Sequence, residues 1–230
     1  MLHLGARLGC ALNMIGYARV AADIGCDHGR FACALAQRGT AERVIAGDIS
    51  EAPLQRARAL VARTGLESRV ELRLGNGLTV LTPGEADAIC LLGVGGTLMV
   101  RLLEDAAAPF QGAARALFQP MRAAEDIRRW AFEHGCHILD DRIVTERGRF
   151  YQLFMAAPPS PTRDALPEGW PEDYFKLGYR AFQRREPFFG ALAERRLLQT
   201  EARLKGGYAE ALEREAGQLR RIIGLWEAEI

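Results

Sequence analysis

The run ADIGCDHGRF, Ala22 to Phe31, places two aspartates, a histidine and two glycines within the seven positions from Asp23 to Gly29. An apolar stretch from Val20 leads into Asp23, and a helical pattern starts near Arg30, so these residues fall at a strand-to-helix turn. Glycines there let the backbone approach a ligand, and the first N–H groups of the helix are open to one. A further carboxylate, Asp48, closes the next apolar run, VIAGD, 25 residues beyond Asp23.

The acids restrict what such a turn can hold. A pyrophosphate would be repelled by Asp23, Asp27 and Asp48, which disfavours a nicotinamide oxidoreductase. S-adenosylmethionine carries a sulfonium and an ammonium and no phosphate, and Asp48 at a strand end can accept from both of its ribose hydroxyls. Asp27 also has a plainer reading, as the N-cap of the following helix with His28 its surface neighbour. Two further segments contribute to the same crevice. Asn76 in LGNGL offers donor and acceptor groups to an adenine edge beside Gly77, and LLGVGGTLM sets Gly93, Gly95 and Gly96 where a bulky side chain would obstruct a methyl donor and its acceptor.

A sheet is needed to bring these segments together. Apolar runs Val20–Ile24, Val44–Asp48, Val70–Leu74, Ala88–Leu92 and Ala114–Phe118 alternate with helical patterns over Arg30–Gln37, Glu51–Thr64, Thr97–Glu104 and Ala124–His134. This alternation predicts an α/β fold with a parallel sheet, helices on both faces and ligands at the carboxyl ends of the strands. Ahead of it, Leu4, Leu8, Leu12 and Ile15 give a short amphipathic helix that flanks or lids the sheet. The segment HILDDRIVTERGRFYQLFMA predicts a hairpin turning at Glu146 to Arg149, an antiparallel finish that suits a class I methyltransferase sheet better than a dehydrogenase.

Prolines at 158, 159, 161, 167 and 171 mark a linker. Beyond it, Phe189, Leu192, Leu197 and Leu204, then Tyr208, Leu212, Ala216, Leu219, Ile223 and Trp226, recur at helical spacing around Gly206-Gly207. They predict two antiparallel helices forming a coiled-coil arm, either a plain hairpin that buries its own stripe or a substrate-gripping one. The expected organisation is a methyltransferase domain over 1–157, a linker and connector over 158–186, and the arm over 187–230.

The chain has 30 basic and 29 acidic residues among 230, so any polyanion must be met by a local patch, such as Arg195, Arg196 and Arg203 with Arg184 and Arg185 at the arm's base. The five cysteines are odd in number and show no metal-ligand spacing, which points to a reducing compartment and no metal. With no apolar run of signal or membrane-span length, the expectation is a cytoplasmic protein, monomeric or weakly dimeric through the arm.

Taken together, ADIGCDHGRFACAL, AGDISEAPLQRA, GNGL, LGVGG and FQP resemble the bacterial tRNA adenine(22)-N1-methyltransferase family, and GRFYQLFMA and the two-helix tail extend the likeness over nearly the whole chain. The resemblance implies a Rossmann-like class I methyltransferase sheet and a C-terminal coiled coil. It implies that S-adenosylmethionine is used to methylate N1 of an adenine in tRNA. The cofactor would be bound by Asp23, Gly25, Asp27, His28, Gly29, Asp48, Ile49, Asn76, Gly77 and Gly93, with Asp27 and His28 catalytic. Arg30, Gly95, Gly96, Gln119 and Pro120 would border the base. Relative to the family pattern, Asn76 stands for Asp, Met121 for Asn after Gln119-Pro120, and Arg30 for an aromatic residue. Other readings are a methyltransferase for a small molecule or protein, and a non-catalytic RNA-binding module that retains the fold.

Overall fold

The computed structural model describes residues 2–159, 174–207 and 209–228. Helix α1 (Ala6–Ile15) precedes a seven-stranded sheet built from β1 (Ala18–Ile24), β2 (Ala41–Asp48), β3 (Val70–Leu74), β4 (Ala88–Val94), β5 (Arg115–Pro120), β6 (His137–Glu146) and β7 (Arg149–Ala157). The order is β3-β2-β1-β4-β5-β7-β6, with β7 antiparallel to both of its neighbours and the other pairings parallel. The expected parallel sheet and closing hairpin are therefore both present. The chain runs outward from β1 in one direction and from β4 in the other, which opens a crevice at the carboxyl ends between them.

Between the strands lie α2 (Arg30–Gln37), α3 (Glu51–Arg63), α4 (Gly96–Asp105), a short α5 (Ala107–Gln111) and α6 (Ala124–Glu133). Helices cover both faces, so β1 is buried at every position but one and reads as a nearly continuous apolar run. The period of two along a strand then divides the core. Ala21 and Cys90 point to the face packed by Leu12, Leu35 and Leu54, and Ala22, Ile89 and Leu91 to the face packed by Met99, Phe110 and Ile127. By the same alternation Asp23 points toward α2.

The proline-rich stretch around Pro161, Pro167 and Pro171 lies outside the described residues. Two short helices follow, α7 (Tyr174–Leu177) and α8 (Tyr179–Gln183), then the long pair α9 (Phe189–Lys205) and α10 (Glu210–Ala228). Periodicity had not announced α5, α7 or α8, each five residues or fewer. At the base of the arm, Phe182, Phe189 and Trp226 pack as mutually inclined rings with Leu192, Leu219 and Ile222, against Ile143 of the hairpin. No helix among the described residues is long and apolar enough to cross a membrane.

A buried ion pair joins this base to the sheet. Arg128 of α6 donates to Asp141 Oδ1 of β6 from Nε and Nη2, at 3.0 and 2.7 Å, and to Gln152 Oε1 and the Phe175 carbonyl from Nη1. Asp141 Oδ2 accepts the Arg180 N–H, so one carboxylate connects α6, the hairpin and α8. Arg128→Met would leave Asp141, which is 1% exposed, charged and unpaired. We expect a loss of about 3–5 kcal/mol in urea unfolding, partly recovered when Asp141→Leu is added.

Candidate active site

The turn after β1 is held from three sides. Gly25 and Cys26 both donate their N–H to the Gly47 carbonyl of β2, at 2.9 and 3.0 Å. The Asp27 N–H donates to Asp48 Oδ2 at 3.0 Å, while Asp48 Oδ1 accepts from Ser50. Gly25, Asp27 and Gly29 all have positive φ, 76, 49 and 67°, a left-handed conformation that Asp tolerates better than most residues and Gly adopts freely. Gly29 also meets α3 closely, since a Cβ there would lie 2.9 Å from that of Ala57.

Asp23 provides the helix-capping bond that Asp27 was weighed for. Gly29 occupies the N-cap of α2 without a side chain to offer, and the Asp23 carboxylate accepts the Ala32 N–H at 3.1 Å from beneath. Asp27 instead turns to His28, with Oδ2 at 2.5 Å from Nδ1. On the far side of the imidazole, Arg56 of α3 lies 2.8 Å from Nε2. A guanidinium cannot accept, so Nε2 accepts and Nδ1 carries the proton donated to Asp27. The Asp27 carboxylate is thereby oriented through a neutral imidazole by a charge on another helix.

These groups wall a cavity of about 710 Å3 at the sheet's switch point, a size suited to a small ligand. Asp23, Gly25, Asp27, His28 and Arg30 come from the first turn, Asp48 and Ile49 from the second. Asn76 and Gly77 follow β3, and Gly93 belongs to β4. Of the other expected residues, Pro120 lines a second cleft, while Gly29, Gly95, Gly96 and Gln119 are not part of the cavity wall. Gly96 is a packing glycine, because a Cβ there would fall 1.9 Å from the Ala123 carbonyl oxygen, and Gly95 lies beside Arg122. Gln119 is fully buried, its amide oxygen accepting from Arg7 and its amide nitrogen donating to the Pro120 carbonyl. Arg7, Leu8, Leu98 and Leu102 also line the cavity. The last two lie on the exposed-to-apolar boundary of α4, and Arg7 interrupts the apolar stripe of α1; that interruption was the available signal.

A second, smaller cleft of about 440 Å3 opens between the end of β5 and α9, lined by Arg122, Arg149, Arg195 and Arg196 together with Phe150 and Gln199. It adjoins the first, since Met121 at its rim donates its N–H to the carbonyl of Val94 in the cavity wall. Of the expected arm cluster, Arg195 and Arg196 face this cleft. Arg184 pairs with Asp140, and Arg185 lies 3.7 Å over the Trp226 ring. Among the described residues no group of His, Cys, Asp and Glu is placed to hold a metal ion.

Burial pushes the Asp23 carboxyl up to about 7, the Asp48 and Asp27 charges adding to the rise and the Ala32 N–H opposing it. Cys26 in the same turn is also raised, chiefly by burial, and stays a thiol. Because Asp23 holds its proton more tightly folded than unfolded, its stabilising contribution is complete below about pH 4 and is lost as pH rises through about 7. Asp23→Asn keeps an acceptor for Ala32 and removes the titration. Denaturant unfolding from pH 4 to 8 should show the variant gaining stability relative to the native chain as pH rises; a constant difference would place the titration elsewhere.

A methyltransferase-domain family model matches residues 4–154. The tRNA (adenine(22)-N(1))-methyltransferase of Bacillus subtilis (strain 168) is 35% identical over 168 residues, 73% of this chain and 70% of that protein. The crystal structure of the B. subtilis m1A22 tRNA methyltransferase TrmK superposes with a TM-score of 0.84 at 28% identity, over 99% of both chains. A Streptococcus pneumoniae protein solved in complex with S-adenosyl-L-methionine has the same fold, with a TM-score of 0.85 at 24% identity over 96% of this chain and 100% of that one. By its identity to the B. subtilis sequence and the coverage of both chains, the chain belongs to the tRNA (adenine(22)-N(1))-methyltransferase family.

Proposed function

We propose that this chain is an S-adenosylmethionine-dependent methyltransferase that acts on N1 of an adenine in tRNA, in the cytoplasm. The observation that carries the reading is the set of three carboxylates, Asp23, Asp27 and Asp48, gathered on one glycine-lined cavity at the switch point of the sheet. That donor set suits a cationic, phosphate-free cofactor and repels a dinucleotide. S-adenosylmethionine when bound supplies an electrophilic methyl group on a sulfonium.

The residues divide the remaining work. Asp48 is assigned to the ribose hydroxyls; each of its oxygens takes one backbone N–H and keeps a further lone pair for a ligand. Ile49, 67% exposed, offers an apolar face to the adenine, with Asn76 and Gly77 at its edge. Adenine N1 has its own lone pair, so no base need create the nucleophile. The product base is cationic, however, and a carboxylate held in place before the reaction stabilises that charge as it develops. Asp27, fixed by His28 and Arg56, is assigned that role.

The arginine-lined cleft is assigned to the tRNA backbone, and it puts the arm over 187–230 to use. Guanidinium groups from Arg122, Arg149, Arg195 and Arg196 meet in one concavity beside the cavity, although the chain as a whole is nearly neutral. One chain completes this surface, so the reading suits a monomer.

Incubation with methyl-labelled S-adenosylmethionine and total tRNA should place label at adenine N1. Label in protein or small molecules, or none, would favour one of the other readings. Asp48→Ala should weaken cofactor binding about tenfold to a hundredfold in calorimetry. Asp27→Asn at saturating cofactor should slow single-turnover methylation with little change in cofactor affinity; an unchanged rate would remove Asp27 from catalysis. Arg195→Gln with Arg196→Gln should weaken tRNA binding and flatten its salt dependence.

A further inference from the structure

The arginine cleft holds one buried polar group that a run of phosphates would leave unused. Gln152 of β7 is 7% exposed and lines the cleft, yet only its amide oxygen is engaged, accepting from Arg128 Nη1 at 2.7 Å. Arg128 can only donate, so this bond fixes which end of the amide is which. The amide nitrogen has no partner among the described residues. A donor so buried, on the wall of an open cleft, is costly unless something there accepts from it.

Two residues before Gln152, on the same face of the strand, Phe150 supplies the neighbouring wall. The Arg195 guanidinium lies over the Phe150 ring, 5.6 Å from its centre, and is anchored by donating to the Gly148 carbonyl at 3.2 Å. Phe188 packs against the same ring at an incline, with centroids 6.3 Å apart. An aromatic ring paired with a flat cation is a platform on which a nucleobase stacks, and a phosphate has no use for the ring.

The polar groups narrow which base. Arg122 and Arg149 are exposed and without an ion pair among the described residues, while Arg196 lies 3.9 Å from Glu125. Gln199 at the rim can turn either end of its amide inward, but Gln152 Nε2 and the guanidinium groups only donate. Their complement is a base edge that only accepts, and guanine presents one in its adjacent O6 and N7. Adenine and cytosine each place an amino group on the corresponding edge, and uracil offers a single acceptor.

We propose that the cleft seats one unpaired guanine of the RNA, stacked on the pair of Phe150 and Arg195, its O6 and N7 taking the donors of Gln152 and a neighbouring guanidinium. This rests on the tRNA reading and adds to it a base-reading subsite apart from the place of methylation. The chain then recognises its substrate at two nucleotides, one modified and one only bound.

Fluorescence anisotropy on the full chain tests this with three labelled uridine-rich ribopentamers whose central base is guanine, 7-deazaguanine or uracil. At one salt concentration the guanine pentamer should bind about fivefold to a hundredfold more tightly than the uracil one, with 7-deazaguanine, which lacks N7, in between. Gln152→Glu keeps the acceptor for Arg128 and removes the donor, and should erase the preference for guanine. Phe150→Leu should weaken the guanine pentamer about fivefold or more, and serves if the glutamate variant folds poorly. Equal binding of the guanine and uracil pentamers, guanine no better than 7-deazaguanine, or a preference that survives both substitutions would overturn the proposal. So would a native chain that binds tRNA and no pentamer. A native chain that binds neither tRNA nor pentamer would instead sink the RNA reading itself.

Discussion

The site depends on one bond, from the Ala32 N–H to the buried carboxyl of Asp23. It joins the end of β1 to the first turn of α2 and satisfies a helix N–H that Gly29 cannot. That leaves Gly29 free to be a glycine, which the close approach of α3 and the left-handed turn both require. It also releases Asp27 from capping, so a second carboxylate can face the cavity. Burial is the cost of this arrangement: a carboxyl 3% exposed and raised to about 7 is a destabilised anion at neutral pH. A cationic ligand nearby would relieve that strain, which gives the cavity an intrinsic preference before any hydroxyl or adenine contact is counted.

Most of the sheet was legible because both of its faces are covered. Full burial makes β1, β2 and β4 read as apolar runs, and helix α2 was expected from Arg30 to Gln37, where it occurs. The short helices α5, α7 and α8 were not, since one turn of helix is too brief to show a period and is stabilised by what it packs on. At the site, the residues contributed by strand ends were readable from their position. Arg56 was not, because it sits on a helix elsewhere in the sequence and acquires a role only through folding, and Arg7 was marked only by the break it makes in the apolar stripe of α1. Gln119 and Gly96 illustrate the reverse case. Their segments adjoin the crevice, but Gln119 is drawn into the interior by Arg7, and Gly96 is needed for the contact of α4 with the start of α6.

The joint at Arg128 bears on how the two clefts work together. Its partners come from β6, β7 and the segment beginning α7, so the arm's base is fixed to the same hairpin that carries Phe150 and Arg149 into the arginine cleft. Were the arm attached only by the linker, Arg195 and Arg196 would have no fixed relation to Arg122 at the end of β5. A buried pair contributes little net stability compared with an apolar substitute, but its geometry is demanding. Here that geometry holds the two halves of the proposed RNA-binding surface in register.

Near neutrality in the whole chain conceals a separation of charge that matches the proposed chemistry. A tRNA is a polyanion, yet the base that is methylated becomes a cation. A uniformly basic surface would attract the RNA and oppose the reaction. In this fold the carboxylates gather on the cavity at the β1 and β2 ends, while Arg122, Arg149, Arg195 and Arg196 lie in the adjoining cleft. Val94 and Met121 form the boundary between the two. A strand running through the arginines would present its extruded base across that boundary to the acids, so attraction of the backbone and stabilisation of the product would be supplied by different residues and could be adjusted independently.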